Sequence, residues 1–268
     1  MPPPDWPPPP PDWQFWEQLG PRFEVVPDGA AGGALGWEAA FVMIAFLFPG
    51  IASAVVLVTR HAFHVGGTPS PLAQLLPGHP LANLVLGVAT YFEVAAVVPL
   101  ALLLLARTGQ RPATIGLGRP GWSSDIWPGI GLTLAGLGGN YVVAIPFISL
   151  LQDHPGLLNP VRVGHVPAYY VVYGLTTAAT TAIAEETLVN GYLLVRLEQL
   201  GWSPRTALVL SLTLRTSYHV YYGIGFLFTV PIGYFLTRSF QKHGRLDRPI
   251  VAHFLYDALL STVAVLTS

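Results

Sequence analysis

The sequence contains no cysteine and few charged residues, and each shortage excludes a class of protein. Without cysteine, the 268-residue chain has no disulfide framework, no thiolate metal site and no cysteine nucleophile. Only 10% of its residues are charged, whereas a soluble globular domain carries about 25%. With 52% hydrophobic residues and a mean hydropathy of +0.52, the composition predicts an integral membrane protein. The formal net charge of −1 gives no sign of a nucleic-acid partner.

The amino-terminal segment, residues 1–36, is rich in proline and contains the tetrapeptide PPDW twice. Proline restricts the backbone and lacks an amide hydrogen, so a proline-rich tract stays extended and does not form a helix. The first residues also lack the basic region and apolar core of a cleaved signal peptide. We therefore predict a disordered cytoplasmic tail, with a polyproline ligand for a partner protein as the alternative.

Residues 37–267 are predicted to form an all-α, polytopic transmembrane bundle of about seven spans. A helix needs roughly 20 apolar residues to cross a bilayer. The candidate spans are 37–59, 81–106, 126–151, 167–195, 206–222, 223–237 and 249–267. Most Arg and Lys residues between them fall on the side of the amino terminus, which the positive-inside rule places in the cytoplasm. The Arg-rich, Lys-poor composition indicates a bacterial cytoplasmic membrane.

Ionisable residues interrupt the apolar segments in the second half of the chain. They are Glu185, Glu186, Arg215, His219, His253 and Asp257. A charged side chain at the centre of a membrane helix costs about 2.5–3.5 kcal/mol on insertion scales, so it needs a compensating role. Arg215/His219 and His253/Asp257 are i,i+4 pairs, and each pair shares one helix face. The spacing predicts three helices that turn polar side chains toward one another.

Three short motifs carry a resemblance to a known family. The segments are EETLVNGYLL (185–194), LRTSYHVYYG (214–223) and PIVAHFLYDAL (249–259). In this order they resemble the motifs of the CAAX-processing and bacteriocin-immunity (CPBP, or ABI) family of intramembrane proteases. Those motifs are a Glu-Glu pair with an arginine four residues after the second Glu, Phe-x-x-x-His, and His-x-x-x-Asn or Asp. The resemblance covers about 167–267 and implies an endopeptidase that acts within the membrane.

The resemblance implies a catalytic site made of Glu185, Glu186, His219, His253 and Asp257. It makes Glu185 the general base, which activates a water together with His219. It makes His253 and Asp257 the groups that hold or polarise the substrate carbonyl. Excluded solvent strengthens hydrogen-bond donors that point at a developing oxyanion. Glu185, His219 and His253 are also suitable zinc ligands, so a metallopeptidase and a metal-free, glutamate-dependent peptidase both remain open.

The chain departs from the family pattern at two positions. Asn190 stands where the family has arginine, and Arg215 stands where it has phenylalanine. An unpaired buried glutamate and an unpaired buried arginine are each unfavourable. We therefore expect the positive charge to have moved to the next helix, so that Arg215 pairs with Glu186.

The substrate implied by the resemblance is a membrane-embedded or lipidated peptide or protein, reached from the surrounding lipid bilayer. Eukaryotic relatives cleave prenylated CAAX tails, a substrate that we do not assume for this chain. Two other functions are compatible with the sequence. One is a non-proteolytic membrane scaffold or bacteriocin-immunity-type protein that keeps the polar cluster for packing. The other is a proton-coupled transporter, since buried Glu and His residues also relay protons.

Overall fold

The fold is all-α, as predicted, in the part of the chain that the structure describes. This structure is a computed structural model, and it describes residues 30–62, 79, 81–82, 84–85, 88–89, 95–118, 122–153, 170–219 and 224–266. Every regular element within these ranges is helical, and none is a strand. Residues 1–29 of the predicted tail lie outside the described residues, and residues 30–36, which were assigned to the disordered tail, instead form the start of a helix.

The α-helices of the described ranges are numbered here in chain order. They are α1 (Ala30–Ala62), α2 (Val97–Arg107), α3 (Trp122–Ala144), α4 (Ile148–Asp153), α5 (Tyr170–Glu185), α6 (Leu194–Gln199), α7 (Pro204–Ser217), α8 (Thr229–His243) and α9 (Asp247–Leu266). A π-helical segment, Glu186–Leu193, joins α5 to α6 without a break. Short 3₁₀ turns lie at Pro112–Ile115, Ile145–Phe147 and Ile224–Phe228.

The count of seven spans is not confirmed. Among the described residues, two helices are long and apolar enough to cross a membrane, Ala31–Ala52 and Asp125–Leu150. Val97–Arg107 is apolar but shorter. The predicted fifth span, 206–222, is described as a helix only to Ser217, because the chain turns at the next two residues.

Local sequence signals set the start of α7 and the end of α8. Helix α7 begins after Ser203, whose hydroxyl accepts a hydrogen bond from the backbone amide of Thr206 at 3.1 Å. Pro204 fits the first helical position, where no amide donor is needed. Helix α8 ends at Gly244, whose φ of 64° suits glycine at a helix carboxyl end. The first of these signals fixes the start of the helix that carries Arg215.

Helix α9 packs against α3, α5 and α8. Helix α8 also packs against α3 and α7. The small-residue face of α3 allows a close approach, since a Cβ placed on Gly139 would lie 2.6 Å from Cβ of Pro231 on α8. The π-helical segment contacts α1, α2, α7 and α8. The three motifs therefore lie on neighbouring elements.

A cluster of polar side chains connects α1 to the end of the π-helical segment and the start of α6. The fully buried Arg196 donates to Glu38 on α1 at 2.7 Å, and the Tyr192 hydroxyl donates to the same carboxylate oxygen at 2.6 Å. Arg196 also donates to Gln199 at 2.9 Å and lies over the ring of Tyr192. Glu38 is thus an anchor between helices.

Two neighbouring glycines of α3 allow a test of its contact with α8. Gly139→Ala should destabilise the protein by about 1–3 kcal/mol, the usual effect of overpacking, because the new methyl group meets the rigid ring of Pro231. Gly138→Ala should be neutral or slightly stabilising, since nothing lies within 4 Å of the added Cβ and alanine favours helix. Thermal unfolding of the detergent-solubilised protein measures both. Equal unfolding temperatures for the two variants would contradict this helix contact.

Candidate functional site

The π-helical segment places the Glu pair at the centre of the fold. Glu185 ends α5 and Glu186 begins the segment, whose eight residues are all buried. Gly191 lets a neighbouring turn pack against it, because a Cβ there would lie 2.8 Å from Cδ1 of Leu246 and 3.2 Å from the carbonyl oxygen of Ile115. Such π insertions are frequent at functional sites.

Arg215 lies between the two carboxylates. Its Nη1 is 2.9 Å from Oε2 of Glu185, and its Nη2 is 2.9 Å from Oε1 of Glu186. All three side chains are at least nine-tenths buried. Gly233 on α8 leaves room for the arginine, since a Cβ there would lie 3.0 Å from Cδ of Arg215. The ion pair expected between Arg215 and Glu186 is therefore present, and Arg215 pairs with Glu185 as well.

Asn190 takes over part of the role of the missing arginine. Its Nδ2 donates to Oε2 of Glu186 at 2.5 Å. The amide contributes a hydrogen bond to the buried carboxylate but no charge, so Arg215 supplies the positive charge that Asn190 lacks.

His253 links the Glu pair to Asp257. Its Nδ1 lies 2.7 Å from Oε1 of Glu186, and its Nε2 lies 3.3 Å from Oδ2 of Asp257. The second contact joins residues i and i+4 on α9, the spacing that predicted a shared face. Glu186 is completely buried, whereas the Asp257 side chain is 31% exposed. The network therefore runs from the interior to the more accessible face of α9.

His219 is attached to the same network through Arg215. Its Nδ1 lies 2.8 Å from the carbonyl oxygen of Arg215, one turn earlier. Because a carbonyl can only accept, Nδ1 is the donor, and in the neutral ring Nε2 is then the acceptor nitrogen. The His219 ring is half-buried and close enough to Glu185 and Asp257 for their charges to act on it. The sequence-predicted residues thus form one cluster, made of Glu185, Glu186, Arg215, His219, His253 and Asp257.

Tyr218, which precedes His219 in the sequence, also lies beside the cluster. It is buried and packs edge-on against Phe46 and beside the His219 ring. Its hydroxyl lies beside Glu185 and makes no hydrogen bond of good geometry with the described residues. The signal available in the sequence was its position next to His219.

A zinc ion finds no ready set of ligands among the described residues. No group of three His, Cys, Asp or Glu side chains is arranged to hold a metal there. Both ring nitrogens of His253 already contact carboxylates, and Oε2 of Glu185 contacts Arg215. Zinc held by Glu185, His219 and His253 stays a prediction that these contacts do not favour.

Glu93 and His64, two further polar residues of the sequence, lie outside the described residues.

Removal of Arg215 tests the shared ion pair. Arg215→Ala leaves two adjacent carboxylates buried without their cation, so stability should fall by about 3–5 kcal/mol, the usual effect of breaking a buried pair. Adding Asn190→Arg, which returns the cation to its family position, should restore part of the loss. Thermal unfolding in detergent measures both, with the exposed Arg205 on the same helix, as Arg205→Ala, for control. An Arg215→Ala protein as stable as the control would contradict the pairing.

Comparison with known families gives the site its context. A family model described as type II CAAX prenyl endopeptidase, Rce1-like, matches residues 167–259. The matched range contains all three motifs and every member of the polar cluster. No curated protein and no solved structure matches the chain. The family resemblance is therefore confirmed over residues 167–259, which are similar to the Rce1-like, type II CAAX prenyl endopeptidases.

Proposed function

We propose that the protein is an intramembrane endopeptidase that hydrolyses a peptide bond with a water molecule activated by Glu185 and His219. The observation that carries the proposal is the convergence of acidic, basic and imidazole side chains from α5, α7 and α9 in a solvent-poor interior. A scaffold gains little from burying so many ionisable groups, since apolar packing of the same volume is often as stable. A hydrolase needs them, and the family is a family of proteases.

In the proposed mechanism Glu185 removes a proton from the water. Arg215 holds Oε2 of this carboxylate, so Oε1 is the oxygen that we assign to the water. The acceptor Nε2 of His219 positions the same water, because its Nδ1 is engaged by the backbone. The water oxygen then bonds to the carbonyl carbon as the proton moves to Glu185. When the C–N bond breaks, Glu185 returns that proton to the leaving amine.

The oxyanion of the tetrahedral intermediate needs a donor, and we assign that role to Nε2–H of His253. Its contact with Asp257 is long, at 3.3 Å, and Asp257 is the more exposed partner, so a substrate carbonyl can displace this contact. The shorter contact with Glu186, at 2.7 Å, keeps the ring in place meanwhile. Donors held in a water-poor site stabilise an oxyanion far better than donors in water.

The proposed substrate is a peptide anchored in the membrane, either by its own apolar segment or by a lipid. Such a substrate reaches a buried site laterally from the bilayer. The description of the family names prenylated CAAX tails as its substrates. A prenylated peptide is therefore one of the substrates to be tested. We further propose a multi-pass arrangement of about seven spans in a bacterial cytoplasmic membrane, with the amino terminus in the cytoplasm.

Glu185→Gln tests the proposed general base. In proteoliposomes, the wild-type protein should cleave at least one of a farnesylated carboxyl-terminal peptide and an unmodified transmembrane peptide. Glu185→Gln should lower the rate by about 10²–10⁴-fold, the usual contribution of general-base catalysis. Mass spectrometry in H₂¹⁸O identifies the product, because hydrolysis places the label in the new carboxyl group. Glu198→Gln, at the end of α6 and away from the cluster, is the matched control.

Three measurements on wild type and Glu185→Gln separate the alternatives: peptide cleavage, protection of cells from a bacteriocin, and solute flux. Undiminished cleavage by Glu185→Gln would contradict the mechanism. A wild-type protein that cleaves neither peptide, but protects cells from a bacteriocin with or without Glu185, would be a scaffold or immunity-type protein. Proton-coupled solute flux that stops in Glu185→Gln would indicate a transporter.

Metal removal tests the choice between the two peptidase chemistries. Because both nitrogens of His253 contact carboxylates, cleavage should persist after dialysis against a chelator, within about twofold of the untreated rate. The rates of treated and untreated protein are compared in the same vesicles. Loss of cleavage that added Zn²⁺ restores would instead establish the zinc hypothesis.

A further inference from the structure

A buried series of hydrogen bonds runs from Oε2 of Glu186 to the interface of α7 and α8. Asn190 donates to Oε2 of Glu186 at 2.5 Å, and Thr237 on α8 donates to Oδ1 of Asn190 at 2.8 Å. The hydroxyl of Ser211 on α7 lies 3.3 Å from that of Thr237. All four side chains belong to completely buried residues. Nothing in the three family motifs includes Thr237 or Ser211.

The chemistry of the four groups fixes which atom donates and which accepts in each of these hydrogen bonds. An ionised carboxylate can only accept hydrogen bonds, so Asn190 must present its NH₂ group to Glu186. The amide oxygen of Asn190 then faces Thr237, whose hydroxyl hydrogen is used in donating to it. Thr237 is therefore the acceptor in its contact with Ser211. Every donor in the series points toward the charge on Glu186.

We propose that Thr237 is a positioning residue of the active site, which fixes the orientation of the Asn190 amide so that its N–H holds Glu186. An arginine at position 190 would offer donors in every orientation, whereas an asparagine offers one donor face and one acceptor face. If the amide turned over, its oxygen would meet the carboxylate oxygen, and both atoms can only accept. The replacement of the family arginine by Asn190 thus depends on a second residue to direct it.

The orientation of Asn190 bears on catalysis through His253. Arg215 and His253 both contact Oε1 of Glu186, while Asn190 contacts Oε2. A carboxylate released at Oε2 can rotate and carry His253 with it, which moves the donor that we assign to the oxyanion. This inference rests on the proposed function. It predicts an effect on kcat with little effect on KM, because the anchored part of the substrate is not involved.

Thr237→Val is the principal test, since it keeps the shape of the side chain and removes its hydroxyl. With the peptide that the wild-type protein cleaves in the proteoliposome assay, kcat should fall about 10–100-fold, the range typical of residues that orient catalytic groups. KM should stay within about twofold. Thr237→Ser, which keeps the donor, should recover most of the rate. Thr213→Val is the matched control, because Thr213 is exposed and its hydroxyl donates only to the carbonyl of Val209.

A second arm distinguishes orientation of Asn190 from simple packing. In a protein with Asn190→Arg and Arg215→Phe, which restores the family residues at both positions, Thr237→Val should change kcat by less than about threefold. A packing role for Thr237 would persist in that background. If Thr237→Val does not fold, as judged by size-exclusion chromatography, Thr237→Ala takes its place with the same expectations.

The outcomes separate the two proposals. An active wild-type protein whose Thr237→Val variant matches Thr213→Val overturns the role of Thr237 and leaves the protease mechanism standing. A loss that Thr237→Ser does not recover, or that is equally large in the family-like background, also overturns it. A wild-type protein without any peptidase activity overturns the proposed function and this inference together.

Discussion

The shared ion pair of Arg215 with Glu185 and Glu186 is the interaction on which the rest of the site depends. Two carboxylates on adjacent residues repel each other, and burial in an apolar interior removes the water that would screen them. One guanidinium offers donors in a fixed, planar fork and reaches both carboxylates at 2.9 Å. The buried cluster is tolerable because the opposite charges and hydrogen bonds are supplied within it.

This constraint explains the local structure around the pair. Arg215 can reach both carboxylates only if α7 packs directly against the start of the π-helical segment, and Gly233 on α8 provides the space beside it. The turn of α7 that presents the guanidinium also presents its carbonyl to His219. One residue therefore neutralises the acidic pair and orients the histidine. A substitution at Arg215 removes the charge that neutralises the two carboxylates, whereas the backbone carbonyl that holds His219 remains.

The sequence predicted the members of the cluster better than their arrangement. Charges in apolar segments are conspicuous, and the missing cation at Asn190 pointed to Arg215 as the partner. The dual contact of Arg215 and the π-helical segment could not be predicted, because an eight-residue change of helical repeat leaves no mark in composition. The role of Thr237 was also not predicted. A threonine hydroxyl within a helix usually donates to a backbone carbonyl of the same helix, so its sequence position gives no sign of a contact with Asn190. The seven-span count relied on the lengths of apolar segments, and the described residues include two helices that are long and apolar enough to cross a membrane.

The continuous stretch from α5 through α6 is held at both of its polar ends. At one end, Arg215 and His253 fix the acidic pair to α7 and α9; at the other, Arg196 fixes the chain to Glu38 on α1. Anchors at both ends keep the carboxylates at the depth and orientation that Arg215 requires. Preorganised groups of this kind stabilise a transition state without reorganisation during the reaction. The ion pair of Arg196 with Glu38 thus affects the acidic pair through the π-helical segment that lies between Glu186 and Arg196.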